Sequence, residues 1–352
     1  MQVSNQKSII ALFVLSLFLP GSSVYSANLT EGKYLGAVDT EYPDWFRDSF
    51  LELPDDLEEI SDSGKNLILF FYQGNCPYCH ALINKNFSQK DIRDKTQKQF
   101  EVIALHMFGD REVVYFDNQS YSEKSLANKL KIQFTPTLIF YDKAANIVQR
   151  LNGYRSPAQF SVELDYAITI LTQEKPIDKL SYLKKNYKPS QSKEKLFDED
   201  FFTKPPFDAS HLLKASNKPL AVFFEQRDCP SCENLHLNVL KDAETRKIIS
   251  KFNVIQLDMW AKTPVITPSG NKQLAKDWAK DLKINYAPSI VLFDSSGNEI
   301  IRSEAIFKIF HTQSIFDYVL SEKYKTEPSF QRYLSERAQD LRAQGIDVDI
   351  WK

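Results

Sequence analysis

Charge of one sign is what this 352-residue chain most plainly lacks: 44 Lys and Arg face 46 Asp and Glu, a formal net charge of -2. Without a surplus of positive charge it has little with which to grip nucleic acid or an anionic membrane. The one basic cluster, Lys179, Lys184, Lys185, Lys188, Lys193 and Lys195, stands among Pro189, Ser190 and Ser192 and reads as a solvated linker. Long apolar runs are scarce too. "IIALFVLSLFLP", from Ile9 to Pro20, falls short of the roughly 20 residues that span a bilayer. With Lys7 before it and "SVYSA" after it, the run reads as a secretory signal cut after Ser26, with Val24 and Ser26 as the small residues of the cleavage site. An uncleaved anchor is the alternative. Histidines are few and scattered: His80, His106, His211, His236 and His311 show no metal-ligand spacing. Cysteine is rarer still, with four residues, all in two Cys-Pro-x-Cys pairs and none left over. Export would place them where thiols pair unless something reduces them. The remainder, 43% hydrophobic and 26% charged, is ordinary for a globular chain of about two domains.

The chain repeats itself. "GKNLILFFYQGNCPYC" (Gly64 to Cys79) aligns with "NKPLAVFFEQRDCPSC" (Asn217 to Cys232) at an offset of 153. After the loss of one residue, "FEVIALHMF", "LKIQFTPTLIFYDKAANI" and "LDYAI" align with "FNVIQLDMW", "LKINYAPSIVLFDSSGNEI" and "FDYVL" at 152. An offset held this long marks one structural unit written twice. Each copy has a helical lead-in and then a continuous apolar strand, Leu67 to Tyr72 or Leu220 to Phe224. The dithiol opens a helix, and a second buried strand follows ("VIALHM", "VIQLDM"). After a polar excursion with a turn at Asp117-Asn118 or Ser269-Gly270 come another helix, a hairpin turning at Ala145-Asn146 or Gly297-Asn298, and a closing helix. This predicts an α/β protein of two tandem domains, each a central mixed sheet flanked by helices, in an order that resembles the thioredoxin fold.

Between the copies, the prolines and charges of residues 174–206 read as a linker with one short helix in "IDKLSYLKKN". In the tail, Phe330, Leu334, Ala338 and Leu341 share one helix face, Gly345 can form a left-handed cap, and "IDVDIW" alternates like a half-buried strand. The expected division is a signal peptide at 1–26, domain 1 at 27–173, the linker at 174–206, domain 2 at 207–325, and a helical extension with a short strand at 326–352, docked on domain 2.

Each dithiol follows a buried strand and starts a helix, which puts the first sulfur where unpaired N–H groups and the helix dipole favour a thiolate. Such placement lowers a cysteine pKa from about 8.5 to roughly 3.5–7.5. The second sulfur lies one turn in, on the same face. Pro77 and Pro230 suit a first helical turn, which needs no donor from them. Cys76 and Cys229 are therefore the attacking thiols, and Cys79 and Cys232 the resolving ones. Tyr78 against Ser231, and Asn75 against Arg227 and Asp228, give the two thiolates different surroundings and hence different potentials. A proline follows 57 residues after Cys79 and 56 after Cys232, in "FTPT" (Pro136) and "YAPS" (Pro288).

With those prolines, both copies resemble the thioredoxin superfamily. The resemblance implies a cis-proline facing each dithiol, with the preceding residue offering backbone groups to a substrate's extended chain, so Thr135, Pro136, Ala287 and Pro288 are the expected substrate contacts. More narrowly, the leader with "GNCPYCHALINKNF", "HMFGDREV" and "IQFTPTLIFYD", and in the second copy "FFEQRDCPSCENLHLNVL" and "QGIDVDIW", is similar to the SoxW-type periplasmic thioredoxin-like proteins associated with bacterial sulfur oxidation. That implies a thiol-disulfide oxidoreductase acting on exported proteins. The tandem plan is similar to protein disulfide isomerases, without their Cys-Gly-His-Cys centres. There is one departure. Cytoplasmic thioredoxins keep a buried acid six residues before the first cysteine, and here those positions hold Phe70 and Phe223. Glu225, four residues before Cys229, is a candidate modulating group, although a glutamate at a strand end is expected to be exposed.

Three rival readings of the cysteines are weaker. Cys76-Pro77-Tyr78-Cys79-His80 matches a c-type haem attachment, but the second copy has Glu233 in place of the histidine, and a haem leaves both prolines unexplained. Paired Cys-x-x-Cys zinc sites stand about 15–20 residues apart, whereas Cys79 and Cys229 are 150 apart. A structural Cys-x-x-Cys bond closes too small a loop to restrain the unfolded chain. The expectation is a periplasmic thiol-disulfide oxidoreductase, a reductase in preference to an oxidase, needing no cofactor or metal because the cysteines carry the electrons. Its partners would be exported thiol or disulfide proteins and a membrane electron donor or acceptor. The alternatives are an isomerase or chaperone-like module, and a non-catalytic binding protein with structural disulfides.

Overall fold

The computed structural model describes residues 30–173, 177–186 and 195–352. The expected signal peptide, residues 1–26, lies outside them. The first copy runs β1 (Tyr34–Leu35), α1 (Leu53–Asp62), β2 (Asn66–Tyr72), α2 (Pro77–Ala81), α3 (Lys90–Gln99), β3 (Phe100–His106), β4 (Glu112–Val114), β5 (Ser120–Ser122), α4 (Glu123–Lys129), β6 (Thr137–Tyr141), β7 (Ile147–Asn152) and α5 (Pro157–Thr172). After α6 (Lys179–Asn186) the second copy repeats the order: β8 (Phe207–Asp208), α7 (Ala209–Ser216), β9 (Leu220–Glu225), α8 (Pro230–Asn234), α9 (Ala243–Ile249), β10 (Asn253–Asp258), β11 (Pro264–Ile266), β12 (Lys272–Leu274), α10 (Ala275–Asp281), β13 (Ser289–Phe293), β14 (Glu299–Ser303) and α11 (Ile309–Leu320). The tail is α12 (Phe330–Ala343) and β15 (Val348–Asp349). Helices α2 and α8 each continue into a π-helical stretch, Leu82–Phe87 and Leu235–Val239. Among the described residues, no helix is long and apolar enough to cross a membrane.

The α/β expectation holds in both copies. The sheets are ordered β3-β2-β6-β7 and β10-β9-β13-β14, with the first pair parallel and the other two antiparallel. The hairpins turn where the sequence places them, at Ala145 (φ 62°) and Gly297 (φ 86°). Asp142 and Asp294 hold these turns by accepting two backbone N–H groups each.

The continuous apolar strands are buried on both faces, and the faces divide by alternation. Leu67, Leu69 and Phe71 join α1 and α4 in a core private to domain 1; Leu220, Val222 and Phe224 join α7 and α10 in one private to domain 2. The other faces, Ile68 with Phe70 and Ala221 with Phe223, belong to a single core that runs through both domains and α12. The two copies are therefore one packed body with a shared interior.

Two expectations need correction. The linker is expected to run to Pro206, yet Phe202 is buried against Phe223, and Thr203 N–H donates to Val254 O at 2.8 Å. Arg47 N–H donates to Val102 O in the same way at 2.9 Å, so "DFFT" repeats "DWFR" at a larger offset, and the second unit starts before residue 207. The tail is docked on more than domain 2. Helix α12 packs on α11, but its first turn bonds Gln133 of domain 1, and β15 pairs with β1 in parallel.

Candidate active sites

Both dithiols are disulfide-bonded and sit as the sequence predicts, with the first cysteine as the N-cap of its helix. Cys79 N–H donates to Cys76 Sγ at 3.1 Å and Cys232 N–H to Cys229 Sγ at 3.0 Å, so each first sulfur already faces an unpaired helix donor. Pro136 and Pro288 are cis. The preceding residues meet the first sulfur of each pair: Thr135 Oγ1 lies 3.5 Å from Cys76 Sγ, and the Ala287 carbonyl oxygen 3.5 Å from Cys229 Sγ. Side chain and backbone thus play different parts at the two sites. The surroundings differ as well: Pro77 is buried and Pro230 exposed.

Tyr78 and Ser231, singled out as modulators within their own motifs, turn out to be interdomain contacts. The Tyr78 ring stands 4.9 Å from His311, 5.1 Å from Trp351 and 6.0 Å from Phe307, and its oxygen accepts Lys308 N–H at 2.9 Å. Burial holds the Tyr78 phenol well above its ordinary pKa. Reciprocally, Ser231 Oγ lies 3.4 Å from Gln159 Oε1, which is also approached by Tyr286, whose ring carries the Arg155 guanidinium at 4.1 Å. Gln159 and His311 are equivalent positions at the 152-residue offset. So are Gly153 and Ala305, and these touch each other: a Cβ on Gly153 would lie 2.5 Å from the Ala305 Cβ. Ile306 N–H likewise points at the oxygen of its equivalent, Tyr154, at 3.4 Å. Self-equivalent contacts of this kind define a twofold axis, so the tandem chain packs as an isologous dimer would.

One consequence is that each dithiol opens toward elements of the other half. A cavity of about 260 Å³ beside Cys76 is roofed by α12 of the second half. A cavity of about 270 Å³ beside the second dithiol loop is walled by α5 of the first half and by α6 between the copies, and Leu180, Leu183, Tyr286 and Trp260 all line it.

Glu225 is the main surprise. It is fully buried, contrary to the exposed glutamate expected at a strand end, because His236 reaches it from the helix that begins at Cys229. His236 Nε2 is 3.1 Å from both Glu225 oxygens, and Nδ1 is 3.0 Å from Glu199, which also pairs with Arg246 at 2.8 Å. Burial alone would depress the imidazole pKa, but the hydrogen bonds and charges of Glu225 and Glu199 outweigh it and hold His236 above its ordinary value. His236 lies four residues past Cys232 in the helical run that begins at Cys229, so the Glu225–His236 pair ties that run to the end of β9. The first copy has Tyr72 and Ile83 at these places. That mismatch in an otherwise apolar alignment was the signal that could have revealed the pair. Elsewhere, Asn86 is buried and donates to Arg155 O at 3.0 Å.

A family model described as a thioredoxin-like domain matches residues 53–168 and 207–317. No curated protein matches the chain. Among solved structures, it is similar to a thioredoxin-fold protein from Helicobacter pylori (25% identity, 40% of this chain and 87% of that one, TM-score 0.31). It is also similar to a thioredoxin from Thermus thermophilus (21%, 40% and 91%, TM-score 0.29) and to the oxidised C-terminal domain of DsbD from Neisseria meningitidis (15%, 33% and 88%, TM-score 0.25).

Proposed function

This chain belongs to the thioredoxin-like domain family, and we propose that it is a thiol-disulfide oxidoreductase with two exchanging sites. The observation that carries the reading is the repeated arrangement of a disulfide at a helix N-cap, its first sulfur accepting a helix N–H and lying 3.5 Å from the residue before a cis-proline. The N–H group stabilises the anion that the first cysteine becomes on reduction, which makes that sulfur the better nucleophile and the better leaving group at neutral pH.

In the reducing direction, the thiolate of Cys76 or Cys229 attacks a substrate disulfide, forms a mixed disulfide and expels one substrate thiolate. Cys79 or Cys232 then attacks the first sulfur, re-forms the intramolecular bond and releases the second substrate thiolate. The oxidised pairs are the product state of that cycle. Thr135, Pro136, Ala287 and Pro288 are the substrate-facing groups, and Glu225 with His236 is the modulating pair of the second site. The cysteines carry both electrons, so the exchange itself needs no further cofactor. We assign the reducing direction, an exported location, exported protein partners and a membrane electron donor on the similarity of the dithiol segments to SoxW-type proteins.

Replacing Cys79 or Cys232 by Ser should strand the mixed disulfide on Cys76 or Cys229, recovered as a covalent adduct that a reductant releases. The absence of any adduct with either variant would refute the exchange reading. The redox state of each pair in harvested cells, read by alkylation, separates a reductase (both reduced) from an oxidase (both oxidised).

A further inference from the structure

The roof over the first site is pinned at both ends. At the start of α12, Phe330 N–H donates to Gln133 Oε1 at 3.0 Å, Gln331 Nε2 to Gln133 O at 3.1 Å, and Gln73 Nε2 to Gln331 Oε1 at 2.9 Å. At its end, Arg342 Nε donates to Gly32 O at 2.9 Å, and β15 then pairs with β1. The rim just before Pro136, along which an extended substrate chain would lie, is therefore occupied. Gln133 O is bonded to Gln331, and Phe134 packs between Phe307 and Phe330 with ring centroids 5.2 and 5.5 Å away. Cys76 is 2% exposed. A stable protein partner needs about 800 Å² of contact on each side, and it would have to dislodge α12 to reach the sulfur.

What does fit is small. The cavity of about 260 Å³ lies just under the range of about 300–1,000 Å³ that holds typical small ligands. Its lining mixes apolar side chains such as Phe134, Phe307 and Leu334 with polar ones: the Gln331 amide is held by Gln133 and Gln73, while Ser335, Gln339 and Arg342 bring hydroxyl, amide and guanidinium groups to the cavity that Cys76 and Thr135 also line. His311 also lines it, is 7% exposed, and its Nδ1 has no hydrogen-bond partner among the described residues. A buried polar atom left unpaired in this way is costly and calls for a partner.

We infer that the Cys76–Cys79 pair exchanges with a polar, low-molecular-weight disulfide of amino-acid size in preference to a protein disulfide. The inference rests on the reading of Cys76–Cys79 as an exchanging pair. Cys76 thiolate attacks one sulfur of the small disulfide RSSR, giving Cys76–S–S–R and one thiolate. Cys79 then displaces the second, so that two electrons and the two thiol protons pass from the protein to two RSH.

The test uses the full chain, fully reduced, mixed with cystine or with insulin and quenched by alkylation. Mass spectrometry of the Cys76–Cys79 peptide is read separately from that of Cys229–Cys232. Cystine should oxidise Cys76–Cys79 at least about tenfold faster than insulin, a barrier difference of about 1.4 kcal/mol. Ser335→Trp, on an exposed position of the roof helix, fills the cavity mouth and should slow cystine at this pair by a similar factor while leaving the second pair's rate unchanged. Equal rates for insulin and cystine, or a cystine rate untouched by Ser335→Trp, would overturn the assignment of substrate while leaving the exchange reading intact. If neither disulfide oxidises the pair, the exchange reading fails for this site, and the inference with it.

Discussion

His311 gives the sharpest quantitative expectation, because it is a buried imidazole whose cost can be worked out from one cause. Burial between the domains pushes its pKa from 6.5 down to about 3. The folded protein then stays neutral at this site over a range where the unfolded chain binds a proton, so stability falls with falling pH below 6.5 and the loss is complete near 3. At pH 5 the unfolded imidazole is protonated roughly thirtyfold over its neutral form, which amounts to about 2 kcal/mol lost relative to pH 8. At pH 3 the same reasoning gives roughly 4 kcal/mol. The perturbation is His311→Gln, which supplies the residue found at the equivalent position, Gln159, and cannot titrate. Urea unfolding followed by tryptophan fluorescence at pH 8 and pH 5, at one ionic strength, measures both proteins. Other titrating groups cancel in the difference between them. The wild type should lose about 2 kcal/mol more than the variant across this interval. Equal losses would refute the claim that this imidazole is held neutral in the interface.

Two further expectations concern the same packing. Glu225→Ala leaves His236 facing Glu199 alone and should destabilise the protein by about 3–5 kcal/mol, as breaking buried ion pairs does. Because the folded pKa of His236 is raised, its stabilising contribution is fully present below pH 6.5 and is lost as pH rises through the folded value; a wild type with no decline in urea midpoint on the alkaline side, relative to Glu225→Ala, would count against the pair. Gly153→Ala meets both a positive φ of 74° and the Ala305 Cβ at 2.5 Å, for an expected cost of about 2–4 kcal/mol. Gly64→Ala is the control, with φ 83° but open space around the added methyl; its cost should stay near 1 kcal/mol. Indistinguishable urea midpoints for the two variants would argue against the tight contact on the twofold axis.

Much of this molecule is written locally. Cysteine spacing, the proline after it and the apolar runs need only a few neighbouring residues to be read, because strand burial and helix capping are short-range consequences of side-chain pattern. The duplicated sequence supplied a second, independent sample of each, which is why the haem reading of His80 and a lone proline could both be judged. Features that depend on residues far apart were not legible. Glu225 looks exposed beside its neighbours in sequence and becomes buried only when His236, eleven positions on, returns over it. Phe202 looks like linker until the sheet edge at Val254 binds the next residue. Tyr78 reads as a modulator of its own dithiol, yet its oxygen meets Lys308, 230 positions away.

The sequence by itself determined two mixed sheets, each with a disulfide-forming pair at a helix start, since apolar alternation and cap chemistry act over one or two turns. Only the tertiary structure decided that the sheets share one core about a twofold axis and that α12 closes over Cys76. Those outcomes depend on shape matching between surfaces, such as Gly153 against Ala305, that no local pattern encodes.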